Sequence, residues 1–302
     1  MTDIIVVGAG PAGLTAAVYA CRAGKSVLVI EKGGFGGQIT YSPKVENYPS
    51  QQEISGMELA EMFTDHAIAM GAELTVGTVE KIEKSDNGFR VVCDDDTYEA
   101  KAVVIATGAR HRLLGLDREE DFVGNGISFC AVCDGSFFAG QDVAMVGGGN
   151  SALQEAILLS EVCKSVTVIQ NLADFTGERK LADIFTKREN VSVRFNTLVT
   201  ALHGDDALTG ITVKNTESGA EETLSLDGMF IAVGLVPETE PFADVLPLNQ
   251  WGYADVGEHC KSTTGGIFVA GDCRSKTVRQ LTTACADGSI AALAACHYID
   301  EL

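Results

Sequence analysis

Thr2-Asp3-Ile4-Ile5-Val6-Val7-Gly8-Ala9-Gly10-Pro11-Ala12-Gly13-Leu14-Thr15-Ala16-Ala17 opens the chain and decides its fold. The apolar run over residues 3–7 does not alternate with polar positions, as expected for a strand buried on both faces of a parallel sheet. A glycine-rich turn follows, then an Ala-rich helical stretch over 14–23 and a second apolar run at 27–30. In such a unit Gly8 permits the tight turn and Gly10 lets the backbone approach a pyrophosphate. Gly13 lets the helix pack closely on the strand. Glu31 closes the second strand, where a carboxylate takes both hydroxyls of an adenosine ribose. Strand, glycines, helix, second strand and acid are all in place, which predicts a dinucleotide-binding unit at the N-terminus.

The same grammar recurs. Residues 142–146 form an apolar run that turns through Gly147-Gly148-Gly149 into a helical stretch over 151–162 and a strand at 165–169. This second fingerprint, Gly147-x-Gly149-x-x-Ala152, lacks the acid: its second strand ends in Val168-Ile169-Gln170-Asn171, and no Arg pair stands there for a 2′-phosphate. It reads either as a second nucleotide site or as an inherited scaffold that binds none. Between the two units, 57–70 has helical spacing, and 74–84, 88–93 and 102–106 read as strands. Further strands are expected at 191–195, 211–213 and 229–233. The end of the chain returns to the first style, with a run at 267–270, Gly271-Asp272 and an Ala-rich helix over 283–298. The expected fold is α/β, with two Rossmann-like three-layer nucleotide-binding domains, the second inserted into the first. The boundaries follow as 1–113 and 240–302 for the outer domain and 114–239 for the insertion.

Composition narrows the function. The 302 residues carry a formal charge of −20, and an acidic surface repels nucleic-acid phosphates and anionic lipid. No apolar run approaches the roughly 18 residues that span a bilayer. The start has no basic segment before an apolar stretch, so no export signal is read and a cytoplasmic location is expected. Nine cysteines at irregular spacing are not a secreted disulfide framework. Cys21, Cys163, Cys285 and Cys296 read as small core residues. Cys260 and Cys273 are harder to place. The histidines lack metal spacing.

Cys130-Ala131-Val132-Cys133 is the one C-x-x-C in the chain. A structural zinc site needs a second such pair or histidine partners, and neither has the spacing, so no metal is expected. The pattern favours a redox dithiol, because it closes a short disulfide and can depress the pKa of one thiol. Asp134 follows directly, where a carboxyl can serve as acid or base when a thiolate leaves or attacks.

These motifs stand in register with others: Gly36-Gly37-Gln38-Ile39-Thr40, Val45-Glu46-Asn47-Tyr48-Pro49, Ala106-Thr107-Gly108, residues 266–272, and Arg279-Gln280 before the last helix. In order and spacing the whole chain resembles the low-molecular-weight thioredoxin reductases. The resemblance implies FAD bound by the outer domain, with Gly8, Gly10, Pro11, Ala12, Gly13, Glu31 and Lys32 around its ADP part. Gly37, Gln38 and Asn47 match the loop passing the flavin, and Thr107 and Gly108 the Ala-Thr-Gly stretch. Asp272 matches the residue near the ribityl chain and pyrophosphate, and Arg279, Gln280 and Leu281 the segment along the isoalloxazine. Cys273, beside Asp272, is a candidate flavin-proximal thiol. Cys133 would face the flavin, Cys130 would attack the disulfide of a thioredoxin-like protein, and Asp134 would be the acid–base residue. A homodimer and a rotating inserted domain are implied as well.

One departure stands out. Where NADPH-using members carry a basic cluster, this chain reads Gln170-Asn171-Leu172-Ala173-Asp174-Phe175-Thr176. Charge-assisted bonds to a 2′-phosphate contribute about 1.5–3 kcal/mol each, so losing two costs at least about 100-fold in affinity. The expected donor is therefore not NADPH but a protein such as ferredoxin. Arg110, His111, Arg112, Arg274 and Lys276 are the candidate docking charges, against a reading as scattered solubilising charge. The alternatives are an NAD(P)H-dependent reductase, a flavin-dependent oxidase of small dithiols, and a non-catalytic redox sensor.

Overall fold

The computed structural model describes residues 1–42, 44–94 and 96–302. In chain order the first stretch holds β1 (Thr2–Val7), α1 (Pro11–Arg22), β2 (Val27–Glu31), α2 (Gly56–Ala69), β3 (Glu73–Val76), β4 (Val79–Ser85), β5 (Gly88–Cys93), β6 (Asp96–Ile105) and β7 (Ala109–His111). The middle holds β8 (Ile127–Ser128), α3 (Ala131–Asp134), β9 (Asp142–Val146), α4 (Asn150–Val162), β10 (Ser165–Ile169), α5 (Arg179–Phe185) and β11 (Val191–Arg194). It continues through β12 (Thr197–His203), β13 (Gly210–Asn215), β14 (Glu221–Ser225), β15 (Gly228–Ile231) and β16 (Leu235–Pro237); β17 (Ile267–Val269) and α6 (Leu281–Asp300) complete the chain. Two compact units result, Met1–Arg110 with Val236–Leu302, and His111–Leu235. Each is Rossmann-like. Among the described residues no helix is long and apolar enough to cross a membrane.

In the outer unit β1 lies between β2 and β6, parallel to both, with Ile4 opposite Val27 and Ile5 opposite Val103. Besides β1, strand β6 serves two further partners. Its first half pairs antiparallel with β5 from Phe89↔Ala100, and its last three residues pair parallel with β17. Ile4 and Val6 pack into one core with Leu14 of α1 and Ala291 and Ala295 of α6, while Ile5 and Val7 pack into another with Ile30, Ile105 and Val269. Burial on both faces is why the strand is a continuous apolar run. Helices α1 and α6 touch through small residues, since a Cβ on Gly288 would lie 2.2 Å from Ala12 O.

The inserted unit has a parallel sheet in the order β11-β10-β9-β15-β8 and a separate antiparallel sheet β12-β13-β14. Two expectations of the sequence are revised. The strand over 74–84 is two strands, β3 and β4, broken at Gly77, where a Cβ would lie 2.5 Å from Cys93 Sγ. The last helix begins at Leu281, not 283, because Gln280 and Thr283 form a reciprocal capping box that starts it a half-turn earlier.

Candidate active site

Gly8 has φ +102°, and a Cβ there would lie 2.5 Å from Ala106 O, so only glycine lets β1 turn beside β6. A Cβ on Gly13 would fall 1.9 Å from Gly8 O, whereas a Cβ on Gly10 meets nothing within 4 Å. The turn is thus closed on the protein side and open above Gly10. Pro11 occupies the first turn of α1, and no side chain caps that helix. Its first N–H groups are therefore left for a ligand. Ala9 N–H donates to Glu31 Oε2 at 2.7 Å and Gly33 N–H to Oε1 at 3.0 Å, which fixes the carboxylate beside the turn. Lys32 pairs with Glu238 at 2.7 Å. Gly37 lies against Gly10, with its absent Cβ 3.1 Å from Gly10 Cα.

The remaining outer-unit candidates gather near the same turn. Gly271, φ +80°, backs onto Ala12 of α1, and its N–H donates to Asp287 Oδ2 at 3.1 Å. Asp272 follows it. Its Oδ1 is buried without a hydrogen-bond partner, and burial pushes the carboxyl pKa up against the pull of Lys276 and Arg279. Arg279 lies over the Tyr253 ring at 4.4 Å and donates to Asp272 O at 3.4 Å. Asn47 donates to Gln280 Oε1 at 3.4 Å, and Leu281 begins α6. Gln38 donates to Ala109 O, and Thr107 Oγ1 to Glu238 O at 2.7 Å, while Gly108 accepts from Glu238 N–H at 3.2 Å.

In the inserted unit Cys130 and Cys133 are joined as a disulfide across the single turn α3. Cys133 N–H donates to Cys130 Sγ at 3.2 Å. Ser128 Oγ donates to Asp134 Oδ2 at 2.5 Å and accepts from Cys130 N–H at 3.1 Å. Asp134 Oδ1 is buried with no partner, and burial raises the carboxyl's pKa against the Ser128 bond. A second carboxyl stands on the same turn: Glu155 Oε2 of α4 accepts from Ala131 N–H at 3.1 Å. Burial pushes Glu155 up to about 7, the Ala131 bond opposing and the charge of Asp134 adding to the rise. Sequence reasoning missed Glu155, although it falls at helical spacing from the buried Ala152 and Leu159 and so borders the inward face of α4.

The second glycine turn is covered by its own chain. Gln170 is buried at the end of β10, its Nε2 donates to Asp174 O at 3.1 Å, and a Cβ on Gly148 would come within 2.3 Å of that nitrogen. Thr176 N–H and Gly177 N–H both donate to Gly148 O at 2.9 Å. Gly177 presses so closely on the turn that a Cβ would lie 2.9 Å from Asn150 N.

The proposed basic patch is corrected by the structure. Arg274 is 1% exposed and Lys276 8%, both held by Asp287, so neither presents charge to a partner. His111 stacks on Phe129 at 4.5 Å, and burial lowers its pKa to about 4, leaving it neutral. Only Arg110 and Arg112 remain exposed. Cys273, next to Asp272, is fully buried, its Sγ donates to Ala270 O at 3.3 Å, and burial pushes it up to about 11. Cys260 is likewise core, pushed up to about 12 by burial.

A profile of the pyridine nucleotide-disulphide oxidoreductase family matches residues 2–288. A "34.2 kDa protein in rubredoxin operon" of Clostridium pasteurianum is 39% identical over 298 residues, covering 98% of this chain and 97% of that one. The thioredoxin reductase of Bacillus subtilis is 38% identical over 301 residues, covering 99% and 95%. The crystal structure of thioredoxin reductase from Streptococcus pyogenes superposes with a TM-score of 0.94 at 38% identity, covering 100% of this chain and 99% of that one.

Proposed function

The chain belongs to the pyridine nucleotide-disulphide oxidoreductase family and is a thioredoxin reductase-like oxidoreductase, and from that premise we propose that it carries electrons from FAD through Cys130/Cys133 to the disulfide of a thioredoxin-like protein, drawing them from a donor other than NADPH. The observation that carries the exchange chemistry is the Cys130–Cys133 disulfide beside Asp134, a buried carboxyl with an unpartnered oxygen.

The family implies a flavin cofactor, and the outer unit fits one. The surface above Gly10 is open, the first turn of α1 is uncapped, and Asp272 Oδ1 lies buried without a donor, a place for a ligand hydroxyl. Gly8, Gly10, Pro11, Ala12, Gly13, Glu31 and Lys32 would hold the ADP part of FAD. Gly37, Gln38, Asn47, Thr107, Gly108, Asp272, Arg279, Gln280 and Leu281 would hold the rest. Bound there, FAD supplies the two-electron relay between donor and disulfide.

In the exchange itself the Cys130 thiolate attacks one sulfur of the partner disulfide. A mixed disulfide forms, and the other partner sulfur leaves as a thiolate. Asp134, whose carboxyl burial makes a weaker acid than usual, is placed beside the pair to pass that sulfur its proton. Cys133 then attacks Cys130 Sγ, which restores the disulfide and frees the second partner sulfur. Cys133→Ser is expected to trap the partner on Cys130 as a stable mixed disulfide, and Cys130→Ser to abolish transfer; mass spectrometry of the adduct checks both.

The donor reading rests on the second glycine turn. Gln170 lies against Gly148, where an adenosine ribose would sit, and residues 170–176 offer no cation to a 2′-phosphate. Anaerobic stopped-flow mixing with NADPH, NADH and reduced ferredoxin, read by flavin bleaching near 450 nm, tests it. Fast bleaching by ferredoxin alone is expected. Fast bleaching by micromolar NADPH would overturn the donor assignment and leave an ordinary NADPH-dependent reductase.

A further inference from the structure

Glu155 serves no purpose in the exchange as written, yet its carboxyl ends on the turn that joins the two cysteines. Its Oε2 lies 3.1 Å from Ala131 N, the amide directly after Cys130. Asp134, on the same turn, has one oxygen on Ser128 Oγ and the other buried with no partner. The disulfide turn is thus framed by two carboxyls reaching it from separate elements, α4 and α3 itself. Few other charges bear on Glu155. Of the elements packed on α4, β10 carries no ionisable residue, and β9 carries Asp142, which is paired with Lys164 at 2.7 Å. On α5, Arg179, Lys180 and Asp183 are all exposed to solvent. At the far end of α4, Glu161 pairs with Arg188 at 2.9 Å. What remains near Glu155 is Asp134 and the cysteine pair.

We propose that Glu155 is a positioning residue for the dithiol, whose charge at the Ala131 amide governs how readily the reduced pair forms its attacking thiolate. As a carboxylate it anchors the α3 turn through the Ala131 N–H and sets a negative charge beside the sulfurs, which opposes thiolate formation. As a neutral acid it lifts that opposition. Burial brings its ionisation to about pH 7, so the change falls near neutrality. Reduction of the pair breaks one S–S bond and takes up two electrons and two protons. A thiol can then ionise to thiolate and a free proton, and it is this second equilibrium that Glu155 biases.

The inference rests on the redox-active reading of Cys130/Cys133 but on neither the donor nor the acceptor, and the test reads the thiols directly. Full-length protein is reduced with dithiothreitol, which ends as its cyclic disulfide, and freed of reductant. Iodoacetamide alkylation of Cys130 and Cys133 is then followed by mass spectrometry from pH 5.5 to 8. Glu155→Gln keeps an acceptor for Ala131 N–H and removes the charge. The expected result is alkylation about tenfold faster than wild type at pH 8, as for a like charge shifting a thiol by roughly one pKa unit, and equal rates at pH 5.5. Glu155→Ala, which also removes the acceptor, is expected to differ from wild type at every pH. A Gln-to-wild-type ratio that does not change with pH would reduce Glu155 to a structural prop and overturn the proposal. Alkylation that depends on Glu155 in a protein that fails to reduce thioredoxin would leave this inference standing and remove the proposed acceptor instead.

Discussion

Asp287 is the perturbation whose cost the structure specifies most fully. It is buried on α6, and its two oxygens take four donors: Arg274 Nη2 at 3.1 Å on Oδ1, and Arg274 Nε at 3.1 Å, Lys276 Nζ at 2.8 Å and Gly271 N at 3.1 Å on Oδ2. Arg274 is itself fully buried, its remaining contacts being the carbonyls of Val256 and Gly257 and the exposed Glu258. Asp287→Ala therefore strands a guanidinium and an ammonium in the interior. Removing one partner of a buried pair costs about 3–5 kcal/mol, because the charge left behind has lost both water and its counter-ion. Arg274→Ala strands Asp287 less severely, since Lys276 and the Gly271 amide still serve it. In the double variant most of the stranded charge is gone, so the two losses should fall short of additivity by about 1–3 kcal/mol. Urea unfolding followed by far-ultraviolet circular dichroism on the four proteins of the cycle measures this. A cost below about 1 kcal/mol for Asp287→Ala, or strict additivity, would refute the reasoning, since it would mean that water reaches Arg274. Because Asp287 also holds the Gly271 amide, the variant should weaken flavin retention at the neighbouring Asp272.

Two glycines of one turn should respond in opposite ways. Gly10→Ala meets no protein atom and should leave the unfolding midpoint unchanged while lowering FAD affinity, read by flavin fluorescence on dilution; Gly13→Ala drives a methyl into Gly8 O and should destabilise the fold by about 3 kcal/mol or more. His111 gives a pH signature. Burial holds its folded pKa at about 4 against about 6.5 when unfolded, so the unfolded chain binds the proton first and stability drains away as pH falls from about 6.5 to about 4. His111→Gln should flatten that part of the stability curve, and equal slopes in the two proteins would sink the assignment.

Much of this molecule is legible in its sequence, because the signals are local. Gly13 is required by its contact with Gly8 five residues earlier, and the apolar run at 4–7 is enough to predict a strand covered on both faces. The Cys130–Cys133 spacing and the adjoining Asp134 likewise lie within one turn of chain. The absence of any cation over 170–176 is also plain without coordinates. The tertiary structure decides matters in which residues far apart in sequence meet. Arg274 and Lys276 look like surface charges until Asp287, 13 residues beyond Arg274, is seen to bury with them. Cys273 has no assignable environment in the sequence, and the structure buries it completely. Glu155 looks like a solvated helix position until α4 packs on α3, 24 residues earlier, and removes its water. Charge and reactivity depend on what replaces solvent around a group, and only the folded chain determines that.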